Sequence, residues 1–207
     1  MKLTIDNFKS MMNLSLANVK AREEEFSKLD AIAGDGDHGT AIVTALTIIA
    51  GDAQQGTEFP AMLNDMGMGV MMKTSGSTST LLGALFMGMG EALEPLGVTD
   101  ELNAAQVKVM FRGGLTGVEE QTKAKLGDKT MDALVPAVVA IESCDSEDVK
   151  ELLKAGAEAA LKGAEATVNM KANFGRARNL GERSVGFADA GATSWACLFE
   201  SFYQGLE

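Results

Sequence analysis

The sequence predicts an all-α protein, built as an eight-helix antiparallel up-and-down barrel or bundle. Helix-favouring Ala, Leu, Met, Glu and Lys are plentiful, whereas strand-favouring Val, Ile and Tyr are sparse. Apolar residues recur with a period of about 3.6, and Gly or Pro clusters separate the periodic segments. Because the connections are short and no strand pattern is present, consecutive helices are expected to run antiparallel around a shared core.

The first half of the chain contains four predicted helices, over residues 6–29, 38–52, 57–73 and 79–93. In the first helix, Phe8, Val19 and Phe26 fall on one face, with charged residues opposite. The third begins within Thr57-Glu58-Phe59-Pro60, because proline is compatible with the first turn of a helix. A Pro-Leu-Gly sequence at 95–97 ends the fourth.

The second half contains four more predicted helices. Thr99 or Asp100 is expected to cap the fifth, which runs through residue 118, and Asp128 or Thr130 the sixth, which runs to residue 141. Pro136 lies inside the sixth pattern and should bend it or delay its start. The seventh and eighth helices are predicted over residues 146–170 and 192–206.

Composition limits the classes of protein to which the chain can belong. No low-complexity linker divides the 207 residues, which predicts one domain over 1–207. The first residues lack the apolar segment of a signal peptide, and no apolar run reaches the length of a membrane span. Two cysteines in apolar patterns fit a reducing cytoplasm. A net charge of −11 argues against nucleic acid or a membrane surface as a partner.

The segment from Leu29 to Thr40 holds three aspartates, three glycines and the only histidine of the chain. Asp35 and Asp37 would repel each other unless a cation lay between them. Oxygen-only ligands suit a hard cation such as Mg²⁺, and His38 falls where a helix should begin and bind an anion. The segment therefore fits a metal–phosphate site, although Asp/Gly dipeptides also form plain turns.

A calcium-binding EF-hand is excluded at this segment, because its loop needs oxygen ligands at positions 5 and 12. Counting from Asp35, those positions hold Gly39 and Leu46. The Met/Gly segment at 62–72 raises the idea of a copper site. Methionines at helical spacing are much more often adaptable core residues, and we interpret them so.

Three further loops carry polar groups suited to binding an anion. The Ser/Thr-rich loop at 74–80 offers hydroxyl and amide groups before a helix, but it lacks the lysine of a P-loop and could be a plain turn. Residues 127–131 again precede a helix. The long stretch at 173–192 carries three arginines within eight residues, which favours a binding role over a merely solvated basic loop.

Four motifs occur in a fixed order along the chain. They are Leu29-Asp30 with GDGDHG at 34–39, GDKTM at 127–131, GRA followed by LGERS within 175–184, and D-x-GATS at 189–194. Together they resemble the nucleotide-binding L subunit of dihydroxyacetone kinase over essentially the whole chain. The resemblance implies an eight-helix barrel with the nucleotide on its rim.

The resemblance also implies the residues of the site. Asp30, Asp35 and Asp37 would hold two Mg²⁺ ions that bridge the phosphates of ADP or ATP. The chemistry of phosphoryl transfer, and not the resemblance, makes Arg176 the expected catalytic residue, stabilising the transferring phosphoryl group. The positions that would contact the nucleotide are His38, Thr40, Ala41, Ser77, Thr78, Thr122, Met131, Arg176, Asp189, Ala190 and Gly191. His38 is expected to contact phosphates or orient its loop, with a phosphohistidine relay as the alternative.

In that family a separate subunit holds the ketose covalently on a histidine, so this chain should be inactive alone. Its expected partner is a ketose-binding kinase subunit. In phosphoenolpyruvate-dependent members, a phosphotransferase-type M subunit rephosphorylates retained ADP, whereas ATP-using relatives exchange the nucleotide; both remain open. A non-catalytic nucleotide sensor that binds a transcription regulator is the alternative function, and the three metal carboxylates favour the kinase subunit.

Overall fold

The computed structural model describes residues 1–206, and its fold is almost entirely helical. The nine α-helices of this region are α1 Ile5–Ala21, α2 Glu23–Ala31, α3 His38–Gln55, α4 Phe59–Lys73, α5 Ser77–Leu93, α6 Ala104–Gln121, α7 Met131–Ser143, α8 Val149–Ala166 and α9 Ala190–Gln204. Short 3-10 segments cover Glu94–Leu96, Thr167–Asn169 and Arg176–Ser184, and two-residue strands β1 Leu3–Thr4 and β2 Glu101–Leu102 pair antiparallel. The predicted all-α class is confirmed.

The first predicted helix is divided in two, which accounts for nine helices instead of eight. Arg22 leaves the helical conformation, with φ −110° and ψ 11°, and its amide donates to the Val19 carbonyl at 3.1 Å. The Arg22 guanidinium then pairs with Glu25 and lies 5.1 Å from the Phe26 ring centroid. Three acidic residues open α2, where negative charge favours a helix N-terminus.

The fifth predicted helix begins later than expected. Asn103 caps α6 in a reciprocal capping box with Gln106, so the prediction of Thr99 or Asp100 as the cap was wrong. The Thr99 carbonyl instead accepts a hydrogen bond from the Phe59 amide at 2.8 Å, and the Asp100 carbonyl accepts one from the Ile5 amide at 3.0 Å. Those bonds lead into the β1–β2 pair, which is too short for a periodic pattern to indicate.

The helices form a closed ring. Leaving α2 aside, each helix packs against the next one along the chain, and α9 packs against α1. The connections alternate between two ends, so α3, α5, α7 and α9 all begin at the same end. That end, called here the loop end, is formed by residues 32–37, 74–76, 122–130 and 167–189.

The ring encloses a core that includes six fully buried phenylalanines. Met62 and Met66 belong to this core, whereas Met68 and Met72 are 52% and 78% exposed. The core interpretation of the Met/Gly segment therefore holds only for its inward face. Among residues 1–206, no helix has both the length and the apolar character needed to cross a bilayer.

Helices α7 and α8 approach closely at Pro136. Because proline has no N–H, it leaves the Asp132 carbonyl without its usual partner in α7. Gly163 of α8 lies against this oxygen, and a Cβ built on it would be 1.7 Å from the oxygen. At the helix position where Pro136 removes a hydrogen bond, α8 therefore makes a close contact that only glycine permits.

Gly163→Ala is expected to lower the free energy of unfolding by about 1–3 kcal/mol, since the added methyl forces the helices apart. Gly51→Ala is the matched control, because nothing lies within 4 Å of its added Cβ. In that helix alanine should be neutral or stabilising by up to about 1 kcal/mol. Urea unfolding followed by circular dichroism compares the two, and equal stabilities would contradict the contact.

Candidate active site

A cavity of about 610 Å³ opens at the loop end of the ring. Its walls combine the α2–α3 loop, the starts of α5 and α9, the 122–130 loop and the segment at 174–189. The volume falls within the usual range for pockets that bind small molecules and cofactors. The loops that the sequence singled out therefore meet around one cavity.

The α2–α3 loop gathers three carboxylates at the mouth of this cavity. Asp30 lies in the last turn of α2, and its Oδ2 accepts a hydrogen bond from the Gly36 amide at 2.9 Å. Gly36 has a φ of +79°, which glycine adopts without steric cost and which turns the loop back onto α2. As a result, Asp30, Asp35 and Asp37 each present an oxygen within 4.8 Å of the others.

Arg176 lies among these carboxylates. Its guanidinium nitrogens are 2.5 Å from Asp35 Oδ2, 3.4 Å from Asp37 Oδ1 and 3.7 Å from Asp30 Oδ2. The hydrogen bond from Arg176 lowers the pKa of the Asp35 carboxyl, and the same bond raises the pKa of Arg176. Asp35 is therefore ionised at neutral pH, and one guanidinium lies among the three carboxylates.

The donor set fits magnesium. It consists of hard carboxylate oxygens only, and Asp35 and Asp37 are 61% and 65% exposed, so their oxygens remain accessible. Mg²⁺ usually binds through one or a few carboxylates and keeps positions for water and phosphate oxygens. In residues 1–206, these three aspartates form the only group of three or more His, Cys, Asp or Glu placed to share a metal.

His38 begins α3 and is held on two sides. Its Nδ1 is 3.1 Å from Thr78 Oγ1, and its Nε2 is 3.0 Å from Ser194 Oγ. The Phe26 ring lies edge-on to the imidazole at 6.3 Å between centroids. Burial lowers the pKa of His38, against the opposing charges of Asp30 and Asp37. Both nitrogens are engaged, an arrangement that does not favour a phosphohistidine relay.

Four helices begin around the cavity, and each places the positive end of its dipole there. They are α3, α5, α7 and α9, which start at His38, Ser77, Met131 and Ala190. The first-turn amides of α5 have no acceptor within the helix, and no side chain caps them. An acidic chain of net charge −11 thus acquires a local anion site.

Lys129 is a residue whose importance sequence reasoning missed. Its ammonium donates to the Ser184 carbonyl at 2.7 Å and to the Phe187 carbonyl at 3.0 Å, which ties two walls of the cavity together. Its φ of +61° is unusual for a residue other than glycine, and burial lowers its pKa. The predicted GDKTM motif contained it, but no pattern indicates a side chain that folds back onto distant carbonyls.

Most residues predicted for the site do line the cavity. They are Asp30, Asp37, His38, Ala41, Ser77, Thr78, Thr122, Arg176, Asp189, Ala190 and Gly191. Asp35 lies at the mouth through its ion pair with Arg176. Thr40 and Met131 do not line it, because the Thr40 hydroxyl donates to Glu23 at 3.1 Å and Met131 is fully buried. Ser194 and the aromatic wall of Phe174, Phe187 and Trp195 were not predicted.

Comparison with known proteins shows the family to which this chain belongs. The model of the DAK2 domain matches residues 32–204. The chain is 35% identical to D-erythrulose kinase of Mycolicibacterium smegmatis, over 84% of this chain and 31% of that enzyme. It is 33% identical to the ADP-binding subunit DhaL of PEP-dependent dihydroxyacetone kinase 1 of Listeria innocua, over 90% and 89% of the two chains.

A solved structure shares the fold. The dihydroxyacetone kinase of C. freundii, in complex with AMP-PNP and Mg²⁺, superposes with a TM-score of 0.72 and 24% identity. The match covers 95% of this chain and 33% of that one. The chain thus spans about one-third of the Mycolicibacterium and C. freundii enzymes and most of the Listeria subunit. The resemblance found in the sequence is confirmed, and the chain belongs to the DAK2 domain family.

Proposed function

We propose that this chain is the ADP- or ATP-binding, magnesium-dependent subunit of a kinase that acts on dihydroxyacetone or a related small ketose. The observation that carries the proposal is the Asp30–Asp35–Asp37 cluster around Arg176, at the mouth of a cavity ringed by four helix N-termini. The names of the relatives support it, since the Listeria protein is an ADP-binding subunit of such a kinase.

The three aspartates are proposed to hold two Mg²⁺ ions, which supply charge neutralisation for the phosphates when they are bound. The relative crystallised with AMP-PNP and Mg²⁺ supports the pairing of nucleotide and metal. The cavity-lining residues, among them Thr122 and the Asp189–Gly191 turn, are proposed to contact the nucleotide. For Thr40 and Met131 this role rests on the resemblance alone.

Arg176 is proposed as the catalytic residue. Its guanidinium already lies where the three carboxylates converge, beside the cavity into which phosphates would extend. With the carboxylates paired to bound cations, the guanidinium would be free to pair with oxygens of the transferring phosphoryl group. A guanidinium at that position would stabilise the negative charge that develops in the transition state.

The remaining parts of the proposal concern organisation and partners. The chain acts in the cytoplasm as one domain over 1–207, beside a separate ketose-binding subunit. The names of the full-length relatives favour the phosphoenolpyruvate-dependent route, with ADP retained and rephosphorylated by an M subunit. No observation favours the sensor function over the kinase subunit.

Metal removal tests the coupling of the two ligands. Chelator is expected to lower the melting temperature of ADP-loaded protein much more than that of protein already stripped of nucleotide. A ligand that binds only the folded state adds about 2.7 kcal/mol at a hundredfold excess over Kd, and this is lost when its metals are removed. Differential scanning fluorimetry measures both samples. Equal shifts would mean that the metals do not support nucleotide binding.

A further inference from the structure

Ser194, near the start of α9, connects that helix to His38. Its side chain is buried, and its Oγ donates to the Gly191 carbonyl at 2.9 Å. The same oxygen lies 3.0 Å from His38 Nε2. A serine hydroxyl has one proton, and here the Gly191 carbonyl accepts it. With its proton on the Gly191 carbonyl, Ser194 acts as an acceptor toward the imidazole, and this arrangement places the proton of a neutral imidazole on Nε2.

The proton on Nε2 determines the role of the other ring nitrogen. A neutral imidazole carries one N–H, so Nδ1 is an acceptor. Thr78 Oγ1 lies 3.1 Å from Nδ1 and must donate its only proton there. Thr78 lines the cavity, and its hydroxyl can then only accept a hydrogen bond from a group bound there.

We propose that Ser194 is a positioning residue which, through His38, holds the Thr78 hydroxyl as a hydrogen-bond acceptor toward the bound ligand. The inference rests on the proposed function in taking ADP and Mg²⁺ as the ligand. Phosphate oxygens, which are acceptors, are then bound at this helix start by the main-chain amides of α5. Thr78 instead receives a hydrogen-bond donor, either a group of the nucleotide or a cation-bound water.

The tautomer can be measured without any ligand. Because the chain has one histidine, long-range ¹H–¹⁵N spectra of the free protein contain a single imidazole. We expect a protonated Nε2 and an unprotonated, hydrogen-bonded Nδ1. In Ser194→Ala the Nε2 proton should exchange faster with water. A protonated Nδ1 in the wild type would overturn the proposal, whether or not ADP binds.

Binding measurements test the consequence for the ligand. Ser194→Ala and Thr78→Val are each expected to weaken ADP–Mg²⁺ binding roughly tenfold, the usual scale for leaving one buried polar partner unsatisfied. Because both residues act through the same series of hydrogen bonds, the loss of affinity in the double variant should be much smaller than the product of the two single losses. Independent, multiplicative losses, or an unchanged affinity of Thr78→Val, would overturn the proposal.

Ser201→Ala is a matched control on the same helix. Its hydroxyl also donates to a carbonyl, that of Cys197 at 2.7 Å, and accepts from the Asn18 amide at 3.0 Å. This variant should be destabilised like Ser194→Ala but keep wild-type ADP affinity. A tenfold loss here too would assign the effect to stability and overturn the proposal. Wild-type protein that shows the expected tautomer but binds no ADP would contradict the proposed function instead.

Titration of Thr78→Val with ADP and with inorganic pyrophosphate, both in Mg²⁺, distinguishes the two sources of the donor. A loss of affinity for ADP alone identifies a donor group of the nucleoside. A loss for both ligands identifies a cation-bound water. Either result supports the acceptor role, whereas wild-type affinity for both ligands would contradict it.

Discussion

Arg176→Ala is expected to slow phosphoryl transfer about 10²- to 10³-fold in a system reconstituted with a ketose-binding subunit, which is the usual loss for one charge-stabilising donor. ADP binding should weaken much less, because the helix N-termini and the carboxylates stay in place. Arg176→Lys should fall between, since a single ammonium cannot reproduce the contacts that two guanidinium nitrogens make with Asp35 and Asp37. Single-turnover assays with phosphorylated nucleotide separate transfer from binding.

Arg178→Ala serves as the control for this variant. Arg178 is exposed, two residues further along the same 3-10 segment, and it makes no ion pair among residues 1–206. Its loss should leave the transfer rate nearly unchanged. Without the ketose-binding subunit, wild type and both variants should all stay at background. An unimpaired Arg176→Ala enzyme, or robust turnover by these 207 residues alone, would contradict the assigned role.

Asp35→Asn and Asp37→Asn are each expected to weaken Mg²⁺-dependent ADP binding by more than roughly a hundredfold. Even groups that only orient metal ligands cost about 10- to 100-fold when they are changed, and these carboxylates are the proposed ligands themselves. Both side chains are largely exposed, so the helical circular dichroism should not change. Isothermal titration of ADP in Mg²⁺ measures the affinity.

The control for these variants is Asp65→Asn, an exposed carboxylate on α4. It changes the net charge of the chain by the same amount, but in the middle of α4, away from the loop end. ADP affinity should stay at the wild-type level. If all three variants bound ADP equally well, the aspartate cluster would not be the metal site.

The sequence was informative where chemistry and chain position coincide. Asp37 and His38 mark a helix start by local rules, and the structure places the start of α3 there. The aspartates and glycines of the same segment indicated a metal–phosphate site or a plain turn, and Gly36 turns the loop back so that its amide donates to Asp30. The alternation of eight short-connected helices then placed the four motif loops at one end, where they share a cavity.

The remaining features depend on contacts between distant segments, which no local pattern encodes. Arg22 divides the first helix through its own pairing with Glu25 and Phe26. Lys129 reaches carbonyls more than fifty residues away, and Ser194 is separated from His38 by 156 positions. In the sequence, each of these residues is an ordinary helix or turn residue, and its contacts form only in the folded ring.

Native mass spectrometry of the purified chain, titrated with ADP and Mg²⁺, tests the central claim most directly. The mass of the complex counts the nucleotide and the ions at once. The proposed site predicts one ADP with two Mg²⁺ per chain, and the loss of both ligands together in Asp37→Asn. A wild-type chain that takes up no ADP, or that binds ADP equally well in chelator, would contradict it.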